Sequence, residues 1–142
     1  MPAETIFSAA NMLAMAGWLA LLLAPRARWA NWRLAGLAVP GLLAALYVVL
    51  LAIHAPGTEG GFSSLAGVAA LFRTEGVLLA GWVHYLAFDL FIGAWICRRG
   101  AAEGMNDWLV RLCLPPTFLA GPAGLLLFLG LRLAFAKREI PA

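Results

Sequence analysis

The chain has 142 residues, 63% of them hydrophobic and 12% charged, with a mean hydropathy of +0.89. A soluble domain carries about twice that charged fraction, so the composition selects a membrane chain with room for a single domain. Ten Lys+Arg stand against seven Asp+Glu, but the basic residues lie between apolar runs and form no basic-aromatic face, which argues against nucleic acid as a partner.

A membrane-spanning helix takes about 20 apolar residues, and the charges divide the chain into four such windows. Residues 6–24 form the first, closed by Pro25, Arg26 and Arg28. Residues 1–5 hold no Lys or Arg, and the apolar stretch exceeds the about 7–15 residues of a signal-peptide core, so it reads as a retained helix. Residues 34–53 form the second, between Arg33 and the breaker run His54, Ala55, Pro56, Gly57. In the connection 55–76, Phe62, Leu65, Ala66, Ala69 and Phe72 recur at helical spacing, as in a short amphipathic helix at the outer interface or a loop packed over the bundle. Residues 77–96 form the third window, between Glu75 and Arg98, and residues 112–131 the fourth, between Arg111 and Arg132. No window carries a wide polar stripe, which argues against a channel, and no internal repeat suggests a transporter. The expected fold is all-α: one membrane domain of four transmembrane helices in a bundle, with the interfacial segment between the second and third.

Arg26, Arg28 and Arg33 follow the first helix, and Arg98, Arg99 and Arg111 follow the third. The other side has Arg73, Lys137 and Arg138, with Arg132 at its edge. The positive-inside rule then puts both termini outside and the two short loops in the cytoplasm. Trp29, Trp32, Trp95 and Trp108 fall at that cytoplasmic boundary as an aromatic belt. Glu75 falls level with Arg132, a candidate ion pair. Cys97 and Cys113 match no zinc or redox spacing and read as small apolar residues.

A charged side chain near the bilayer centre costs about 2.5–3.5 kcal/mol on insertion scales and is a functional candidate by default. The third helix concentrates Trp82, His84, Tyr85 and Asp89 within eight residues. His84 and Asp89 are five apart, about 140° round the wheel, so their side chains diverge. Trp82, Tyr85, Asp89 and Gly93 share one face; His84 lies with Phe88, Phe91 and Trp95. That spacing disfavours a metal pair on one helix. A metal set of His54, His84 and Glu75 or Asp89 is conceivable but lacks any HxxxH, ExxH or HExxH anchor, so no metal ligand is assigned; no cofactor is assigned either. Asp89 and His84 are equally readable as interhelical hydrogen-bonding groups, with Thr117 a candidate partner for Asp89. In the fourth window Pro122 removes the amide that would serve the Phe118 carbonyl, so a kink is expected there, with Gly121 and Gly124 allowing close approach of a helix or a rigid ligand. Asn11 is a further polar residue, within the first helix. The first two helices otherwise read as packing elements.

Two runs, from Gly81-Trp82-Val83-His84-Tyr85 through Asp89-Leu90-Phe91 to Trp95-Ile96, and Pro116-Thr117-Phe118-Leu119-Ala120-Gly121-Pro122-Ala123-Gly124, carry a resemblance. They resemble the abscisic-acid-deficient-four-like family, small four-helix membrane proteins named for plant plastid members needed for neoxanthin formation. The W-x-H-x4-D-L-F run and the later G-P-x-G make Trp82, His84, Asp89, Gly121, Pro122 and Gly124 the signature positions carried over. The resemblance implies an isomerisation that opens an epoxide, on a carotenoid or another polyisoprenoid. Nine Arg against one Lys suggests a bacterial inner-membrane setting. Such chemistry needs an acid for oxygen and a base for a carbon-bound proton, roles that would fall to Asp89 and His84 respectively. Trp82, Tyr85, Thr117, Gly121, Pro122 and Gly124 are then the substrate-binding set. Three functions compete: a carotenoid-modifying isomerase or the aid of a partner enzyme, a non-catalytic holder of a lipid or pigment, and an assembly subunit. Membrane lipids are expected partners in each, and a homo-oligomer is open in each.

Overall fold

The computed structural model describes residues 2–135, and all regular structure in them is helical. Helix α1 spans Ala3–Leu23, α2 Trp29–His54, α3 Leu65–Leu71, α4 Glu75–Ala102, α5 Asp107–Leu119 and α6 Gly121–Phe135. Helices α1, α2 and α4 are each long and apolar enough to cross a bilayer. Helix α4 is the central one: fourteen of its residues are buried, from Gly76 to Gly100. Helix α1 runs parallel to it, with Leu90 packed on Gly17 and Trp18 on Gly93. Helix α2 runs antiparallel, pairing Tyr47 with His84 and His54 with Gly76.

The fourth expected span does not form. The segment is two helices joined at Ala120, whose extended backbone (φ −158°, ψ 84°) ends α5. Pro115, Pro116 and Pro122 each lack an amide, and Pro122 would collide with the Phe118 carbonyl in a continuing helix. Instead Pro122 lies in the first turn of α6, where its missing N–H costs nothing. The chain therefore reverses rather than kinks. Helix α5 runs up α4 from Asp107 toward Tyr85, and α6 runs back down it. Gly121 meets Asp89, Phe128 stacks edge-on against Trp95, and Arg132 reaches Glu103. The hairpin enters one face of the bundle and returns to it, so the start of α1 and the end of α6 lie at opposite faces, not the same one.

That reversal corrects the expected ion pair. Arg132 bonds Glu103 at 2.7 Å and Arg99 joins from one turn earlier in α4 at 2.6 Å, whereas Glu75 lies at the far end of α4. Arg26, Arg28, Arg33, Arg98, Arg99, Arg111 and Arg132 now all belong to one face, and among the described residues only Arg73 lies at the other. Lys137 and Arg138, which the positive-inside count placed opposite, lie outside the described residues. Trp29, Trp32 and Trp108 are exposed at this arginine-rich face, as an interfacial belt requires.

Helix α2 starts earlier than expected. Its first part, Trp29–Ala38, is wound as a π-helix, and its α-helical part is Val39–His54. The wide turn accommodates Arg98, whose guanidinium donates to the Asn31 carbonyl and lies 4.6 Å from the Trp32 ring centre. Gly36 supplies the room for it. Helix α4 likewise runs past the expected boundary to Ala102, because Arg98 folds back along α2 instead of ending the helix. The interfacial helix forms as α3, with the Ser64 hydroxyl capping the Gly67 amide at 3.0 Å and Phe62 and Leu65 exposed.

The fold yields two predictions. Reporter tags placed before Ala3 and directly after Phe135 will localise to opposite sides of the membrane, whereas four spans would put both on one side. The second concerns Glu103, whose carboxyl the Arg132 hydrogen bond holds below the ordinary range. A lowered carboxyl pKa contributes stability above the unfolded value of about 4.3 and loses it as pH falls through the folded value. Thermal unfolding in detergent should therefore show a lower midpoint for E103Q at pH 7, a deficit that closes on strong acidification.

Candidate functional site

The hairpin tip breaks the backbone ladder level with Tyr85, in the middle part of α4. Two carbonyls there, Phe118 and Leu119, are met by one side chain: the Tyr85 hydroxyl lies 3.2 Å from the first and 2.8 Å from the second. An unsatisfied carbonyl in hydrocarbon costs several kcal/mol, so this cap stabilises the reversal. Tyr85 also contacts Asp89, one turn further along α4. The Asp89 carboxyl faces the Gly121 backbone amide at the start of α6, where the helix dipole favours negative charge. It is 8% exposed, and its Oδ2 has no hydrogen-bond partner among the described residues. A buried polar atom without a partner requires a reason, and here it sits at the polar node of an apolar bundle.

Gly121 and Gly124 are required by distance. A Cβ on Gly121 would overlap the Asp89 carboxyl, and one on Gly124 would overlap the Thr117 main chain. Thr117 is fully buried but does not bond Asp89. Its hydroxyl donates back to the Cys113 carbonyl at 2.6 Å, within its own helix. The structure thus gathers Tyr85, Asp89, Thr117, Gly121, Pro122 and Gly124 at the hairpin tip. Trp82 joins from one side, stacked on Tyr85 (5.3 Å between ring centres) and donating its indole N–H to Asn11 at 3.2 Å. His84 is not brought there. It faces the far side of α4, stacked between Tyr47 and Phe88, as the five-residue spacing from Asp89 requires.

Helix α1 is more than packing. One stripe of it lines three cavities in file. The first, about 300 Å³, lies between Glu4, Phe7, Glu75 and Trp82. The second, about 180 Å³, is lined by Asn11, Met15, Trp82, Tyr85 and Phe118. The third, about 170 Å³, lies between Met15, Trp18, Leu22, Leu114 and Phe118. Trp82 is shared by the first two, and Met15 and Phe118 by the last two. Nineteen residue steps separate Ala3 from Leu22, so the groove runs about 28 Å at 1.5 Å per residue. Exposed Met15, Leu19, Trp82 and Leu119 along its rim open it sideways toward lipid. The sequence signal for it was Asn11, Met15, Trp18 and Leu22 at helical spacing, hidden because almost every residue of the helix is apolar.

Among the described residues no group of three or more His, Cys, Asp or Glu could hold a metal ion. A family model described as ABA DEFICIENT 4-like matches residues 5–128 of the chain. No curated protein and no solved structure matches it.

Tyr85→Phe removes the side-chain donor to the two tip carbonyls and should lower stability by about 1–3 kcal/mol. Gly124→Ala, which forces the hairpin arms apart, should cost a similar about 1–3 kcal/mol. Thermal or denaturant unfolding in detergent measures both.

Proposed function

The chain belongs to the ABA DEFICIENT 4-like family, and from that premise we propose that it holds a carotenoid or related linear isoprenoid in the α1–α4–α5 groove and takes part in its modification. One observation carries this reading: the groove is about as long as the about 30 Å hydrocarbon core, is apolar at its inner end, and has its polar node beside Tyr85. A flexible acyl chain needs no such node, whereas a ligand with a polar group at a fixed depth does.

The same node offers proton chemistry. A hydroxyl carries one proton. If Tyr85 donates to Leu119, its contact with Asp89 is made when the carboxyl carries a proton. If Asp89 is ionised, Tyr85 donates to it and releases the carbonyls. The two arrangements differ by one proton, which is what a relay between a buried carboxyl and a groove-facing phenol needs. We assign Tyr85 to the ligand and Asp89 to the position behind it. His84, the base suggested by the sequence, opens to the other side of α4 and takes no step in the groove. The arginine-rich face is assigned to the cytoplasm on the positive-inside rule, which leaves the start of α1 outside. A second reading, a holder that presents the ligand to a partner enzyme, is favoured by the structural use Tyr85 already has as a carbonyl cap.

Purification in mild detergent followed by mass spectrometry of bound lipid should recover a polyene or linear isoprenoid. Met15→Trp, at the exposed junction of two cavities, should reduce the recovered ligand about tenfold, equivalent to about 1.4 kcal/mol. Loss of product with retained ligand in Asp89→Asn indicates catalysis. Unchanged product indicates the holder, and absence of any isoprenoid overturns the proposal.

A further inference from the structure

The groove lies on one side of α4; a second cavity lies on the other. It measures about 250 Å³, is open on one side at the exposed His84 and Phe62, and is lined by Tyr47 and Leu51 of α2, Phe62, Leu71 and Phe72 around α3, and Val77, Gly81 and His84 of α4. A dry cavity of about 150 Å³ is enough to bind benzene, so this volume takes a substituted six-membered ring. Its walls are unusually aromatic. Tyr47, Phe62, Phe72 and His84 each present a ring, and Phe72 lies against Gly81, where a Cβ would approach it to 2.6 Å. Flat walls select a flat occupant, because aromatic pairs gain from offset or edge-on stacking.

The cavity also carries two polar side chains that lie against each other. The Tyr47 and His84 rings lie 5.4 Å apart, and neither the phenol nor the imidazole has a hydrogen-bond partner among the described residues. Both can donate. Two neighbouring donors in the wall of an aromatic slot are complementary to a carbonyl oxygen on a planar ring, and an acyl chain would leave them unused. Depth agrees with this. His84 stands nine residues along α4 from Glu75, about 13 Å below its start, and α3 covers the cavity at the interface. A ring held there would have its tail directed into the bilayer.

We infer that this cavity is a second ligand site, separate from the groove, that binds the head ring of a quinone-class lipid through His84 and Tyr47. Its occupancy does not depend on what fills the groove. Such a site also gives His84 a use on the side of α4 that the geometry assigns to it.

The test is equilibrium binding to the purified full-length chain in mild detergent, with a decyl-tailed benzoquinone as probe and decylbenzene as its counterpart of similar shape without acceptors. The quinone should bind at least about tenfold more tightly than decylbenzene, the order expected for one or two hydrogen bonds. His84→Phe and Tyr47→Phe should each remove most of that preference, while decylbenzene binding and the lipid recovered from the groove stay unchanged. Equal binding of the two probes by the unmodified chain would overturn the inference, whether or not the variants fold. So would variants that keep the full preference for the quinone.

Discussion

Backbone amides and carbonyls must be satisfied inside a bilayer, and this constraint is felt most sharply at Ala120, where two helices meet at mid-depth. Regular helices meet the requirement within themselves; a reversal in hydrocarbon does not. The chain answers with one tyrosine, whose hydroxyl serves two carbonyls, and one aspartate, set against the amide end of the returning helix. Everything distinctive about the molecule is arranged around that answer. The hairpin packs on α4 where Gly121 meets Asp89, and its two arms close on each other where Gly124 meets Thr117. Beside the hairpin tip and the arm α5, α1 leaves the inner two cavities of the groove, and the outer one lies between α1 and α4 alone.

The same arrangement joins stability to chemistry. Tyr85 is at once a structural cap and the polar group of the middle cavity, and Asp89 is at once packed against the start of α6 and an incompletely paired buried carboxyl. Residues in this position cannot be varied freely for either purpose. At the other end of the hairpin, Arg132, Glu103 and Arg99 fix the returning arm to the arginine-rich face. The hairpin is thus held at its tip by hydrogen bonds in a dry environment and at its base by ion pairs at the interface, where water screens them.

Helix α4 separates two environments. Its Trp82, Tyr85 and Asp89 side turns toward α1 and the hairpin, whereas its His84 side turns toward α2 and α3. A five-residue interval on a regular helix is enough to impose this division. The polar cluster that looks like one site in the sequence is therefore two, back to back.

The amino-acid sequence by itself determined the membrane class, the three long spans and the polar cluster of α4, because hydrophobic run length and helical periodicity are local properties; for residues 55–76 it left a short helix and a packed loop both open. It also determined that His84 and Asp89 diverge. What it did not determine was the fate of residues 112–131. An uncharged stretch of that length reads as a span, and Pro122 alone reads as a kink. Whether a freed backbone kinks or reverses depends on what another helix offers at the same depth, here the Tyr85 hydroxyl and the Asp89 carboxyl. The pairing of Arg132 with Glu103 rather than Glu75 follows from that choice, as does the groove along α1. These are properties of elements meeting in space, and only the tertiary structure decided them.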